Sequence, residues 1–150
     1  MPDILDVALL GYGLAGRVFH APLIAATAGL RLHTVVSSDP GKVAADHPQA
    51  RVVADPAQAF ADPAIALVVV ATPNPTHAPL ALAALAAGKH VVVDKPFALD
   101  VAEAEAMAEA SRRAGRLLSV FHNRRWDADF LALRALLDAG ALGEVAELHS

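Results

Sequence analysis

Ile4-Leu5-Asp6-Val7-Ala8-Leu9-Leu10 runs directly into Gly11-Tyr12-Gly13-Leu14-Ala15-Gly16. An apolar stretch of strand length that meets a G-x-G-x-x-G turn is where a buried strand passes into a helix, and in that setting the turn predicts a dinucleotide site. Gly11 suits the tight turn, Gly13 keeps a Cβ out of the path of a pyrophosphate, and Gly16 lets the helix lie close to the strand. Tyr12, Leu14 and Ala15 belong to the same cofactor loop, whose free N–H groups face the phosphates. The bland alternative is a tight turn with no ligand, and the strand in front outweighs it.

Outward from this junction, short apolar runs alternate with alanine-rich segments, the pattern of repeated βαβ units around a parallel sheet. Strands are expected over 4–10, 31–37, 51–53, 65–71, 89–94 and 117–121. The runs 65–71 and 90–93 do not alternate polar with apolar residues, as expected of strands covered on both faces. The fold class is therefore α/β, a doubly wound parallel sheet. Helices are expected over 77–87 and 101–114, the second opened by Asp100 as N-cap with Glu103 three residues on and closed by Gly115. Between residues 39 and 61, Pro40, Pro48 and Pro56 allow only short helices. A last helix is expected over 126–137, and residues 144–150 look like the first strand of a second, more open α+β domain that is cut off. The expected division is a dinucleotide domain over 1–122 and a lead into the second domain over 123–150.

The 150 residues carry a net charge of −4 with 12 basic residues, which gives no electrostatic footprint for nucleic acid. There is no cysteine, so no disulfide framework or thiolate metal site is available. The start Met1-Pro2-Asp3-Ile4 lacks the charged region of a secretory signal, and no apolar run reaches membrane-spanning length. A soluble cytoplasmic protein is expected. No histidine and carboxylate pairs recur at ligand spacing, so no metal site is expected. His20, His77 and His122 are placed near the ligand crevice; His33, His47, His90 and His149 read as surface or structural.

In a doubly wound sheet the ligand crosses the carboxyl ends of the strands, so the residues just past each apolar run carry the chemistry. After 65–71 come Thr72-Pro73-Asn74-Pro75-Thr76-His77, with Thr72 and Asn74 offering polar groups to a cofactor and Thr76 expected to cap the next helix. After 89–94 comes Lys95-Pro96, preceded by Asp94. A desolvated lysine there serves proton transfer or fixes a substrate hydroxyl, whereas a lysine at a strand end is otherwise just solvated. Asp94 could hold the ammonium charged, and spacing leaves that open. Past the second strand come Ser37-Ser38-Asp39. If the strand ends at Val36, Ser37 or Ser38 takes the slot of the ribose-binding acid and a 2′-phosphate is tolerated, with Lys42 nearby; if it runs longer, Asp39 fills the slot and NAD is preferred.

These residues resemble the glucose-fructose oxidoreductase and inositol dehydrogenase family, Gfo/Idh/MocA. The resemblance rests on Gly11-Tyr12-Gly13 with Gly16, on Ala71-Thr72-Pro73-Asn74 with His77, and on Ala87-Gly88-Lys89-His90-Val91 leading into Lys95-Pro96. Asp94 stands where the family usually has Glu. The resemblance implies a Rossmann domain in which Lys95 is catalytic or orients substrate. It also implies that Thr72, Pro73, Asn74 and His77 line the cofactor, beside Asp94 and Pro96. Gly16-Arg17-Val18-Phe19-His20-Ala21-Pro22 and 120–127 look most like its NADP-linked scyllo-inositol branch, which brings Asn123, Arg124 and Trp126 to the nicotinamide end. The alternative for those three is a helix turn with Trp126 in the core and Arg124 at the surface. The function implied is hydride transfer between NADP, or else NAD, and a sugar or cyclic polyol. An Asp and His from a second domain would complete the site, and that domain would form a homo-oligomer interface. A non-catalytic dinucleotide sensor is the alternative, against which Lys95 argues. A methyltransferase reading ranks last, because it leaves Thr72-Pro73-Asn74 and Lys95-Pro96 without a purpose.

Overall fold

A computed structural model describes residues 4–147. Its sheet contains β1 (Leu5–Leu10), β2 (Leu30–Val36), β3 (Arg51–Val53), β4 (Ile65–Val70), β5 (His90–Val93) and β6 (Leu118–Val120). All neighbours pair in parallel in the order β3-β2-β1-β4-β5-β6. Each expected strand is present, with its ends within one residue of those expected. Chain order reverses between β1 and β4, and there a doubly wound sheet opens a crevice at its carboxyl edge.

Successive side chains of a strand face opposite ways. Val7 and Leu9 of β1 join a core with Ala21 and Ile24 of α1 (Ala21–Ala26) and Val43 of α2 (Pro40–Asp46). Ala8 and Leu10 join the opposite core, closed by Ala59 of α3 (Pro56–Phe60), Ala78, Ala81, Ala84 and Leu85 of α4 (His77–Ala86) and Met107 of α5 (Val101–Ala114). Covered on both sides, the central strands have no polar face to show, which is why they read as unbroken apolar runs.

Two of the three prolines between 39 and 61 start helices: Pro40 and Pro56 sit in the first turns of α2 and α3. Asp39 Oδ1 accepts the Lys42 N–H at 3.0 Å, and Asp55 Oδ1 accepts that of Ala57 at 2.9 Å. At α5, Asp100 Oδ1 accepts the Glu103 N–H, and Glu103 Oε2 reaches back to the Leu99 N–H. Gly115, at φ +61°, closes that helix as expected. Lys89 is buried and its Nζ donates to the Asp62 and Ile65 carbonyls at 2.7 and 2.9 Å, which ties the start of β4 to that of β5.

Three expectations need correction. Thr76 precedes α4 without capping it; its hydroxyl donates to the Pro73 carbonyl at 2.6 Å. The 3-10 turn Asn74–Thr76 leaves Thr76 in αR (φ −99°, ψ −4°), whereas a capping side chain is aimed at the helix amides from the β region. The last helix, α6, spans Ala128–Asp138 rather than starting at Trp126, because extended backbone at Asp127 separates it from a 3-10 turn over Asn123–Trp126. Trp126 is 74% exposed, so it is not core. Residues 144–147 form no strand, since they have no ladder partner among the described residues; Leu148, His149 and Ser150 lie outside those described. Among the described residues no helix is long and apolar enough to cross a membrane.

Candidate functional site

The loop Gly11–Gly16 rises from the end of β1 at the switch point. Gly11 has φ +91°, and a Cβ there would come within 2.7 Å of the Ala71 carbonyl oxygen. A Cβ at Gly16 would overlap the Gly11 carbonyl oxygen. At Gly13, by contrast, a Cβ would meet nothing within 4 Å. Two glycines are thus required by the fold itself, while the third leaves open space in front of the loop. The helix begins at Leu14, so its first amides have no acceptor within it and are available to phosphate oxygens.

Tyr12 also borders the space on the β2 side of the loop. It is buried, its hydroxyl donates to Asp46 Oδ2 at 3.1 Å, and burial followed by the Asp46 bond pushes its pKa up to about 12. Arg17 grips the same carboxylate through Nε at 2.7 Å. Together they fasten the loop to the C-terminal end of α2.

On the β2 side, a cavity of about 360 Å³ is lined by Gly11, Gly13, Ser37, Ser38, Asp39, Lys42 and Thr72, among others. β2 ends at Val36, so Ser37 is the first residue past the strand. Its Oγ accepts the Asp39 N–H at 3.1 Å, and Asp39 Oδ1 is engaged as the α2 cap. Ala54 and Pro56 also line this cavity. The sequence reading passed over both, although the rule of looking just past each strand reaches Ala54 after β3.

On the β5 side, a smaller cavity of about 190 Å³ is lined by Ala15, Phe19, Asp94, Lys95, Phe121, Asn123 and Arg124. Lys95 is exposed there and follows Asp94, whose N–H completes the ladder to the Val70 carbonyl at 2.9 Å. The Lys95–Pro96 peptide is cis. Asp94 Oδ1 accepts the Lys95 main-chain N–H at 2.7 Å, and Oδ2 lies 3.4 Å from His20 Nε2. Among the described residues Asp94 thus spends Oδ1 on the main chain and sets Oδ2 against His20, and forms no ion pair with the Lys95 ammonium. Arg124 is at once a cavity residue and a surface one, pairing with Asp127 at 3.2 Å while its side chain is 85% exposed. Phe19 and Phe121 supply apolar walls that the sequence reading did not single out.

Between the two cavities, Pro73 and Asn74 are exposed at the end of β4. His77 is 1% exposed, with Nδ1 2.9 Å from the Pro96 carbonyl and Nε2 2.8 Å from the Thr72 carbonyl. Its ring lies beneath the crevice and clamps the Thr72 and Lys95-Pro96 loops together. His20 is buried near the crevice as expected. His90 accepts the Leu117 N–H at 2.9 Å, a structural role. Among the described residues no group of three or more possible metal ligands gathers.

The chain is similar to known proteins. The profile of the Gfo/Idh/MocA oxidoreductase family, described by its NAD-binding Rossmann fold, matches residues 5–122. The uncharacterized oxidoreductase YdgJ of Escherichia coli is 55% identical over 150 residues, all of this chain and 43% of its own length. The NADP(+)-dependent scyllo-inositol 2-dehydrogenase IolW of Bacillus subtilis is 41% identical over 95% of this chain and 40% of its own. Among solved structures, the YPO2259 protein of Yersinia pestis superposes with a TM-score of 0.94 at 59% identity, over 97% of this chain and 42% of that one. The chain thus spans well under half the length of the relatives it matches. With its glycine loop, Thr72-Pro73-Asn74 turn and Lys95-Pro96 strand end on one sheet edge, the chain belongs to the Gfo/Idh/MocA oxidoreductase family.

Proposed function

We propose that this chain is the cofactor half of an enzyme that moves a hydride between a nicotinamide dinucleotide, NADP in preference to NAD, and a hydroxyl or ketone carbon of a sugar or inositol-like cyclic polyol. The observation that carries this reading is the pairing of open space before Gly13 with the exposed Lys95 in a second cavity on the same sheet edge. When bound, the nicotinamide supplies or accepts the hydride.

The residues of the chain divide the remaining work. The Gly11–Gly16 amides hold the pyrophosphate, with Thr72, Pro73 and Asn74 along its path. Ser37, Ser38 and Lys42 face the adenosine ribose, and with Asp39 engaged at the helix start they favour a 2′-phosphate there. The NADP specificity of IolW, named for that protein, supports the same choice. Lys95 exchanges the proton of the substrate hydroxyl as the hydride leaves or arrives, or orients that hydroxyl by donating to it. Asn123 and Arg124 border the nicotinamide end. Residues 123–150 lead into a second domain, which brings further acid–base groups and the subunit interface. The substrate class rests on the inositol dehydrogenases among the relatives, such as that of Mycolicibacterium smegmatis at 38% identity.

A calorimetric titration with NADPH and with NADH, repeated on Gly13→Val, tests this. NADPH is expected to bind more tightly, and the variant to bind neither. Preference for NADH assigns the ribose slot to Asp39, and failure of the folded protein to bind either cofactor overturns the reading.

A further inference from the structure

His20 is 4% exposed, and its Nε2 is the one buried side-chain nitrogen or oxygen among the described residues that lacks an aligned hydrogen bond. Buried polar atoms are nearly always satisfied, so such an atom calls for an explanation. The residue ends the π-type turn Gly16–His20 that follows the glycine loop, where the Ala21 N–H reaches back five residues to the Gly16 carbonyl. Turns of this width concentrate at functional positions. From there the ring packs on Phe121 at the end of β6, centroids 4.2 Å apart, and Nε2 faces Asp94 Oδ2 at 3.4 Å past the end of β5. One imidazole thus joins the segment behind the cofactor loop to the two strand ends that frame the Lys95 cavity.

We propose that His20 is a positioning residue for Lys95: by holding Asp94 Oδ2 it keeps Oδ1 on the Lys95 main-chain N–H and keeps the carboxylate off the lysine ammonium. Rotation of Asp94 about its side-chain bonds would carry an oxygen towards the cavity that both residues line. There it would pair with the Lys95 charge and hold the lysine in the protonated, acid-bound form. With Oδ1 on the main chain and Oδ2 against His20, that rotation has no better partner to reach. The two side chains are only 4% and 12% exposed, so little water competes for the contact. Burial pushes the His20 pKa below its ordinary value of 6.5, with Asp94 opposing. The ring is therefore neutral near neutrality, and the tautomer with its proton on Nε2 would direct that proton at Asp94 Oδ2, 3.4 Å away. The importance of Lys95 for hydride transfer rests on the proposed function, but the tether through Asp94 does not.

The test follows the Lys95 main-chain amide and the imidazole signals by NMR across pH 4.5–8 in the full-length protein, first in the wild type and then in His20→Gln, which keeps an N–H donor without titrating. In the wild type the Lys95 amide is expected to shift in step with the His20 ring, below pH 6.5, and in His20→Gln that inflection is lost. His77, which touches the adjoining Pro96 carbonyl, and His122 remain in the variant, so any inflection that survives belongs to them. A Lys95 amide that ignores the His20 titration in the wild type, or an inflection unchanged in His20→Gln, overturns the proposal. The wild-type arm needs neither a substitution nor activity, so it stands even if no polyol is turned over. Where turnover is found, His20→Leu is expected to lower kcat about tenfold at unchanged KM for the dinucleotide, and His20→Gln to restore most of it. Equal losses in the two variants would mean that the ring packing on Phe121 matters and the contact with Asp94 does not, which also overturns it.

Discussion

The two halves of the sheet's carboxyl edge are built by different means. On the β1–β2 side the surface offered to a ligand is main chain: a loop whose glycines remove side chains, the first amides of a helix, and two serines past β2. On the β5–β6 side it is made of side chains, with Lys95 set by Asp94, Asp94 faced by His20, and the whole strand end tied to the β4 loop by His77. A site made of backbone is specified by what the sequence leaves out, and its shape survives most exchanges nearby. A site made of side chains depends on partners far along the chain, so a single loss is felt across several elements.

Gly13→Val should give the largest effect that separates these halves. Dinucleotide affinity is expected to fall by about 100-fold or more, because the new side chain occupies the pyrophosphate path. The melting temperature should hardly move, since a Cβ at this position meets nothing within 4 Å. Parallel titration calorimetry and thermal melting check both. On the other half, His77→Ala removes a buried ring and leaves the Thr72 and Pro96 carbonyls without their partner. It should destabilise the fold by about 3 kcal/mol, read from the urea midpoint. An intact midpoint would show that the side-chain half is not clamped as described.

Ser38→Asp should have a smaller and more selective effect. A carboxylate in the ribose slot repels a 2′-phosphate and accepts ribose hydroxyls, so the NADPH to NADH affinity ratio is expected to drop about tenfold, roughly 1.4 kcal/mol. The smallest effect should lie away from both halves. Asp6 is buried at the start of β1, and its bonds to Arg31 hold its carboxyl below the ordinary 3.8. A depressed folded-state value contributes stability that is present above 3.8 and is lost as pH falls through the folded value. Arg31→Gln should therefore flatten the acid end of a plot of melting temperature against pH, and leave cofactor binding at pH 7 unchanged.

How much of this could be read from the sequence follows the same division. All six strands and the glycine loop were legible, because run length, unbroken apolarity and missing side chains are local properties. What the strand ends do was legible only as position. Asp39 before Pro40 fits a helix start by residue type, but that its Oδ1 caps α2 while the residue also lines the cavity past β2 depends on where the strand stops. Thr76 fits a cap by residue type, and the 3-10 turn before it turns its hydroxyl the other way. The roles of His77 and His20 are set by carbonyls and a carboxylate 19 residues on in one case, for Pro96, and across the sheet's edge in the other. Of the two readings open for Trp126, the core one fails because the residue ends an exposed 3-10 turn just before the extended backbone of Asp127.

Lys89, drawn under the sheet onto two carbonyls, also changes how the protein should meet covalent reagents. The sequence contains Lys42, Lys89 and Lys95, of which the first and last are exposed. An amine-acylating reagent applied briefly should tag those two and spare Lys89 for as long as the start of β4 stays joined to β5. Acylation of Lys89, read by peptide mass, would then report the opening of that joint, and protection of Lys95 by added dinucleotide would report on the crevice in the same sample.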